Sequence, residues 1–135
     1  MANEFVANKK VLVIEAIEDD AFLRNVINEK LKKEGFDVLE ARDGEEGLET
    51  ALSKRPDLII LDIVMPKMDG LMVMEKLRAQ GDWGKNLPIV LFTNLNADDE
   101  KIIKAIENNQ PTYYLVKSNN TIDDLIEKIK ERLSK

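Results

Sequence analysis

Four places in this 135-residue sequence carry groups whose chemistry would combine if they met: the acidic run Glu18-Asp19-Asp20, then Asp62, Thr93 and Lys117. Carboxylates held close together repel one another and raise each other's pKa. A divalent cation relieves that repulsion, and a hard, oxygen-rich donor set suits Mg2+. Such a cation would neutralise an incoming phosphoryl group, whose transfer needs mainly positioning and electrostatic stabilisation. A carboxylate is also a competent nucleophile and forms an acyl phosphate. Lys117 would offer a compact positive charge to phosphate oxygens, and Thr93 a hydroxyl donor.

Composition narrows the alternatives. There is no His and no Cys, which removes phosphohistidine, thiol nucleophiles, disulfides and the usual zinc sites. The absence of Cys fits a reducing cytoplasm, the expected location. With 26 acidic against 20 basic residues the net charge is −6, so direct nucleic-acid binding is not expected. No apolar run approaches the roughly 18 residues of a membrane span, so no membrane contact is expected. Residues 1–8 read as a flexible N-terminal lead without the apolar core of a signal peptide, and 9–135 as one domain.

The elements that must position these groups are legible as a repeat. Apolar runs at 11–14, 36–40, 58–61, 89–92 and 113–116 are each followed by a helical pattern. Four are continuous, as in strands covered on both faces, and 36–40 is more edge-like. Helices are expected over 21–33, with Gly35 as its stop, from Asp43 to about Ser53, and over 70–80, 98–107 and from Thr121 onward. Asp43 followed by Glu46 resembles a capping box, and Thr121 with Asp124 opens the last helix. This is (βα)5: a doubly wound α/β arrangement with a parallel five-stranded sheet and helices on both faces. In such sheets ligands bind beyond the carboxyl ends of the strands. That edge is where Asp62, Thr93, Lys117 and the acidic run should converge. Met65, Met68, Met72 and Met74 are explained by packing. Trp83, placed in a loop over 81–84, is also expected to pack.

On these residues the chain is similar to the CheY-like receiver domains of two-component signalling. The resemblance runs from about Lys9 to Leu133. It is carried by Glu18-Asp19-Asp20 through Arg24, by Ala41 to Gly47, by Pro56 to Gly70 around Asp62, by Leu91 to Thr93 and by Tyr113 to Lys117. It implies a flavodoxin-like three-layer sandwich with strand order 2-1-3-4-5. It implies that Asp62 accepts a phosphoryl group from a histidine kinase or phosphotransfer protein, or from a small acyl phosphate. Glu18, Asp19, Asp62 and the backbone carbonyl of Val64 would hold Mg2+. Thr93 and Lys117 would bind the phosphoryl group. Thr93 and Tyr114 would switch together and remodel the face of the fourth helix, fifth strand and fifth helix, read by a downstream protein. Such a chain is no enzyme beyond its own phosphorylation and dephosphorylation. It would be a monomer or weak dimer, and no output domain is expected within 1–135.

Three departures stand out. Glu15-Ala16-Ile17 intervenes between the first strand and Glu18, an excess of about three residues that would form a bulge, a longer loop or an extra helical turn. An alternative register brings Glu15 to the site. Ser118 follows Lys117 where the family often has Pro, so no cis peptide is expected there. Asn108-Asn109-Gln110-Pro111 replaces the usual Gly-Ala. The competing reading is therefore a phosphorylation-impaired or engineered binding module whose metal site the insert disrupts. Two unrelated classes fit less well. A haloacid-dehalogenase-type phosphatase needs a second Asp where Val64 stands. A flavodoxin-type nucleotide binder needs a Ser/Thr/Gly-rich loop where this chain has carboxylates.

Overall fold

The computed structural model describes residues 8–14, 17–65, 67–94 and 100–134; the expected N-terminal lead otherwise lies outside them. The apolar runs become five parallel strands: β1 (Lys10–Ile14), β2 (Asp37–Ala41), β3 (Leu58–Leu61), β4 (Ile89–Thr93) and β5 (Tyr113–Val116). They pair in the order β2-β1-β3-β4-β5, so the expected topology is the observed one. β3 and β4 are buried throughout, as their continuous apolar runs require, whereas β2 is a part-exposed edge strand.

Strand side chains alternate between two apolar layers. Val11, Val13, Leu58, Ile60, Val90 and Phe92 face α1 (Ile17–Lys33) and α6 (Ile122–Leu133). Leu12, Ile14, Ile59, Leu61, Ile89 and Leu91 face α2 (Gly44–Lys54), α3 (Gly70–Arg78) and α5 (Glu100–Asn109). Helices therefore cover both faces, giving three layers.

Local chemistry sets the helix ends. Gly35, at φ 97°, ends α1. Asp43 Oδ1 caps α2 by accepting from the Glu46 N–H at 2.9 Å. Thr121 and Asp124 form a reciprocal capping box on α6. α1 begins at Ile17, not Ala21, so the last residue of the excess segment opens the helix. α3 stops at Arg78 and α5 extends to Asn109.

A sixth helix is the main correction. The expected loop around Trp83 is a short helix, α4 (Gly81–Asn86). Two glycines in six residues hide it from a propensity reading. Tertiary contacts supply the stability. Trp83 packs on the second apolar layer with the Arg55 guanidinium 4.4 Å above its ring.

Arg78 ties this end of the molecule together. Its Nη1 donates to the carbonyls of Gly84 (2.7 Å) and Leu87 (2.6 Å), its Nε to Asn109 (2.7 Å) and its Nη2 to Gln110 (3.0 Å). One cation thus satisfies carbonyls around the C-terminal ends of α4 and α5, where helix dipoles favour positive charge. Burial lowers its pKa, but a guanidinium stays charged at neutral pH. Arg78→Met should cost about 3 kcal/mol, because the carbonyls lose charged donors in a part-buried setting. Urea denaturation checks this; a loss under about 1 kcal/mol would mean that water replaces the guanidinium without penalty.

Candidate functional site

The carboxyl ends of β1, β3, β4 and β5 extend their pairing by one step and so fix the site backbone. The Asp62 N–H donates to the Ile14 carbonyl (3.2 Å), and the Lys117 N–H to the Thr93 carbonyl (2.7 Å). Asp62 follows β3, the central strand, and is only 6% exposed. Thr93 ends β4 and is fully buried. Lys117 follows β5 and reaches past β4 to place Nζ 3.0 Å from Asp62 Oδ2, with both side chains nearly buried. On that path the ammonium passes 5.8 Å from the centre of the Phe92 ring. The other carboxylate oxygen, Oδ1, accepts from the Val64 N–H at 3.3 Å, a long contact.

Asp62 must turn directly into a loop that returns to α3, and Gly70 permits this. The Gly70 N–H closes the loop on the Ile63 carbonyl at 2.8 Å. A Cβ at Gly70 would lie 2.1 Å from the Asp62 carbonyl oxygen, so only glycine allows α3 to start this close. Asp69 Oδ1 then caps α3 from the Met72 N–H (2.9 Å). Val64, at the loop's outer side, is 60% exposed.

Glu18 and Asp19 lie in the first turn of α1, four and five residues after Ile14, which pairs with Leu61 beside Asp62. Their side chains, and Glu15, lie outside the described residues, as do Pro66 and Leu95. Tyr114 pairs with Leu91 in the sheet and packs, half buried, on the second apolar layer. Asp62, Thr93 and Lys117 are therefore brought to one edge, and Tyr114 sits within β5, three residues before Lys117.

Sequence reading missed one feature here. Asp43, read only as a helix start, also pairs its Oδ2 with Lys67 Nζ at 3.5 Å, across from the β3–α3 loop. No local pattern encodes a contact spanning 24 positions. The Glu46 N–H, and less so the Lys67 charge, hold the Asp43 carboxyl below its ordinary range.

The donor set can be judged against a hard cation. Asp62 offers a carboxylate beside an exposed backbone segment, and Glu18 and Asp19 belong to the first turn of α1, the helix that follows the neighbouring strand β1. Those oxygens fit Mg2+. Among the described residues no three acidic, His or Cys side chains cluster, and the side chains of Glu18 and Asp19 lie outside those residues.

A sequence profile of the response regulator receiver domain matches residues 13–130. The chain belongs to the response regulator receiver family. The receiver is 36% identical over 96 residues to the alkaline phosphatase synthesis transcriptional regulatory protein PhoP of Bacillus subtilis. That match covers 71% of this chain and 38% of the relative, so the receiver spans well under half of that regulator. A Francisella response regulator receiver domain superposes with a TM-score of 0.76 at 30% identity, covering 94% of this chain and 97% of that one. The receiver domain of a Pseudomonas aeruginosa sensor histidine kinase, crystallised with magnesium in its active-site cleft, gives a TM-score of 0.78. It covers 96% and 100% of the two chains, and at 24% identity it shows the shared CheY-like fold.

Two outcomes test the electrostatics. Lys117→Met leaves the Asp62 carboxylate buried without its cation, and should cost about 3 kcal/mol at pH 7. Adding Asp62→Asn should restore a large part, so a double-mutant cycle in urea should show strong coupling; additive losses would contradict a buried ion pair. Asp43→Ala should cost about 1 kcal/mol near neutral pH. Because its folded pKa is depressed, that contribution is complete above the ordinary carboxylate pKa of about 4 and fades as pH falls through the folded value. The wild-type advantage over Asp43→Ala should therefore shrink from pH 7 to pH 3; a pH-independent gap would assign the effect to something other than the charge.

Proposed function

We propose that this receiver is a phosphorylation-controlled switch with Asp62 as phosphoacceptor. The observation that carries the reading is the nearly buried Asp62 carboxylate at the carboxyl end of the central strand, with Lys117 Nζ 3.0 Å away and the buried Thr93 ending the next strand. A carboxylate at this edge, with a cation 3.0 Å away that could meet phosphate oxygens, has what a phosphoryl acceptor needs.

In the step itself an Asp62 carboxylate oxygen attacks phosphorus. A new O–P bond forms while the bond to the donor breaks, and the donor's imidazole nitrogen or carboxylate oxygen leaves with the electron pair. Lys117 can follow the phosphoryl oxygens, and the Thr93 hydroxyl donates to one of them. Glu18, Asp19, Asp62 and the Val64 carbonyl would hold Mg2+. When bound, that ion would supply positive charge against the phosphoryl oxygens. The chain then catalyses only its own phosphorylation and dephosphorylation.

The donor would be a histidine kinase or a phosphotransfer protein. Phe22 on α1 and Val64 are exposed apolar side chains available to such a protein. A modified Asp62 adds charge beside Thr93, and Thr93 and Tyr114 would respond together. The surface altered is α5, β5 and α6, the fourth helix of the sequence reading being α5 once α4 is counted. A downstream protein would read that surface. The receiver would work in the cytoplasm as a monomer or weak dimer; among the described residues no helix is long and apolar enough to cross a membrane.

Incubation with Mg2+ and acetyl phosphate should add one base-labile phosphoryl group by intact mass, and Asp62→Asn should abolish the gain. An unmodified wild type would sink the switch and favour the binding module in which Glu15-Ala16-Ile17 displaces the acids. A gain that survives Asp62→Asn would sink the site assignment.

A further inference from the structure

The β3–α3 loop carries the backbone on which the proposed chemistry depends, and the start of α2 holds it from outside. Val64 presents its N–H to Asp62 Oδ1, and its carbonyl is the backbone oxygen assigned to the cation. The far end of the loop is closed by Gly70 and capped by Asp69. Its middle is another matter. Lys67 stands at φ 68°, a left-handed conformation that residues with a Cβ avoid unless their surroundings impose it.

Two contacts from the start of α2 meet the loop there. Lys67 Nζ lies 3.5 Å from Asp43 Oδ2. The next carbonyl, that of Met68, lies against the Gly44 α-carbon so closely that a Cβ there would be 1.9 Å from the oxygen and 2.8 Å from Met68 Cβ. Beneath them the Met65 and Met68 side chains pack on the second apolar layer.

We infer that Gly44 and Asp43 are positioning residues for the phosphoryl-transfer site, the first turn of α2 serving as a seat for residues 67–68 that fixes the Val64 carbonyl. The inference rests on the reading of Asp62 as phosphoacceptor. The two residues contribute unequally. The Asp43–Lys67 pair is exposed on the lysine side and is weak alone. Gly44 is the stronger partner, because the contact is backbone on backbone and neither side can yield like a side-chain tip. Alanine would favour helix formation at this position. The glycine therefore serves the seat, not the helix.

The test compares Gly44→Ala with Gly84→Ala. Gly84 makes the same kind of contact, its Cβ position lying 1.9 Å from the Leu77 carbonyl oxygen, but at the opposite edge of the sheet. Mg2+ binding is measured by titration calorimetry without phosphodonor, alongside Tm. Gly44→Ala should bind Mg2+ about tenfold more weakly, as expected when a supporting contact behind a metal ligand is lost. Gly84→Ala should lose Tm and keep its Mg2+ affinity. In metal-free protein, amide exchange across residues 63–69 should rise in Gly44→Ala only. Should Gly44→Ala not fold, Lys67→Gly relieves the positive φ while removing the ion pair, and should weaken Mg2+ binding about two- to threefold. Equal Mg2+ affinities in wild type and every seat variant would overturn the inference. Absence of Mg2+ binding in the wild type would overturn the underlying reading as well, and the wild type alone reveals that case.

Discussion

The pairing of Asp62 with Lys117 is the constraint around which the carboxyl edge of the sheet is built. Two nearly buried charges 3.0 Å apart recover through mutual attraction only part of what their desolvation costs. A pair of apolar side chains would hold these strands together as well or better. Stability is therefore a poor reason for the pair, and reactivity a good one. Removing either partner is worse than removing both, since it strands an uncompensated charge. The geometry follows from that need. Asp62 is locked to Ile14 and Lys117 to Thr93 by backbone bonds, so the distance between the charges is set by strand spacing and not by loops.

The same edge explains why glycines sit where they do. α2 and α3 must both begin close to the β3–α3 loop, and a Cβ on Gly44 or Gly70 would meet a carbonyl oxygen within about 2 Å. Close approach shortens the loop and leaves its backbone little freedom. That would suit the proposed site, in which a backbone carbonyl would act as a ligand, because a ligand that must first be ordered binds more weakly.

The fold was readable because the strands are doubly covered: 58–61 and 89–92 are unbroken apolar runs, and each is followed by a helical period. Asp62, Thr93 and Lys117 were readable for the same reason, since each stands at the end of such a run. What stayed hidden is non-local. α4 contains two glycines and forms because Arg78 and the apolar layer stabilise it. The start of α1 at Ile17 is not announced by a local cap, and a charged Glu15 next to the strand suggests irregular backbone before it suggests a helix. The Asp43–Lys67 pair joins two segments that share no local pattern. Propensity and periodicity describe short windows, and these features are decided by contacts between them.

The two edges of the sheet carry opposite assignments of charge, and α5 connects them. At the amino edge Arg78 holds the last carbonyls of α5 through Asn109 and Gln110. At the carboxyl edge the chain enters α5 from Thr93, beside the paired charges. The helix is therefore fixed at its C-terminal end by a guanidinium that stays charged. Its Ile102 packs in the second apolar layer, so the anchored helix and that layer hold each other in place. Under the proposed switch, a change at Asp62 would therefore act on a helix whose far end and apolar face are already held, which would confine the response to the carboxyl edge.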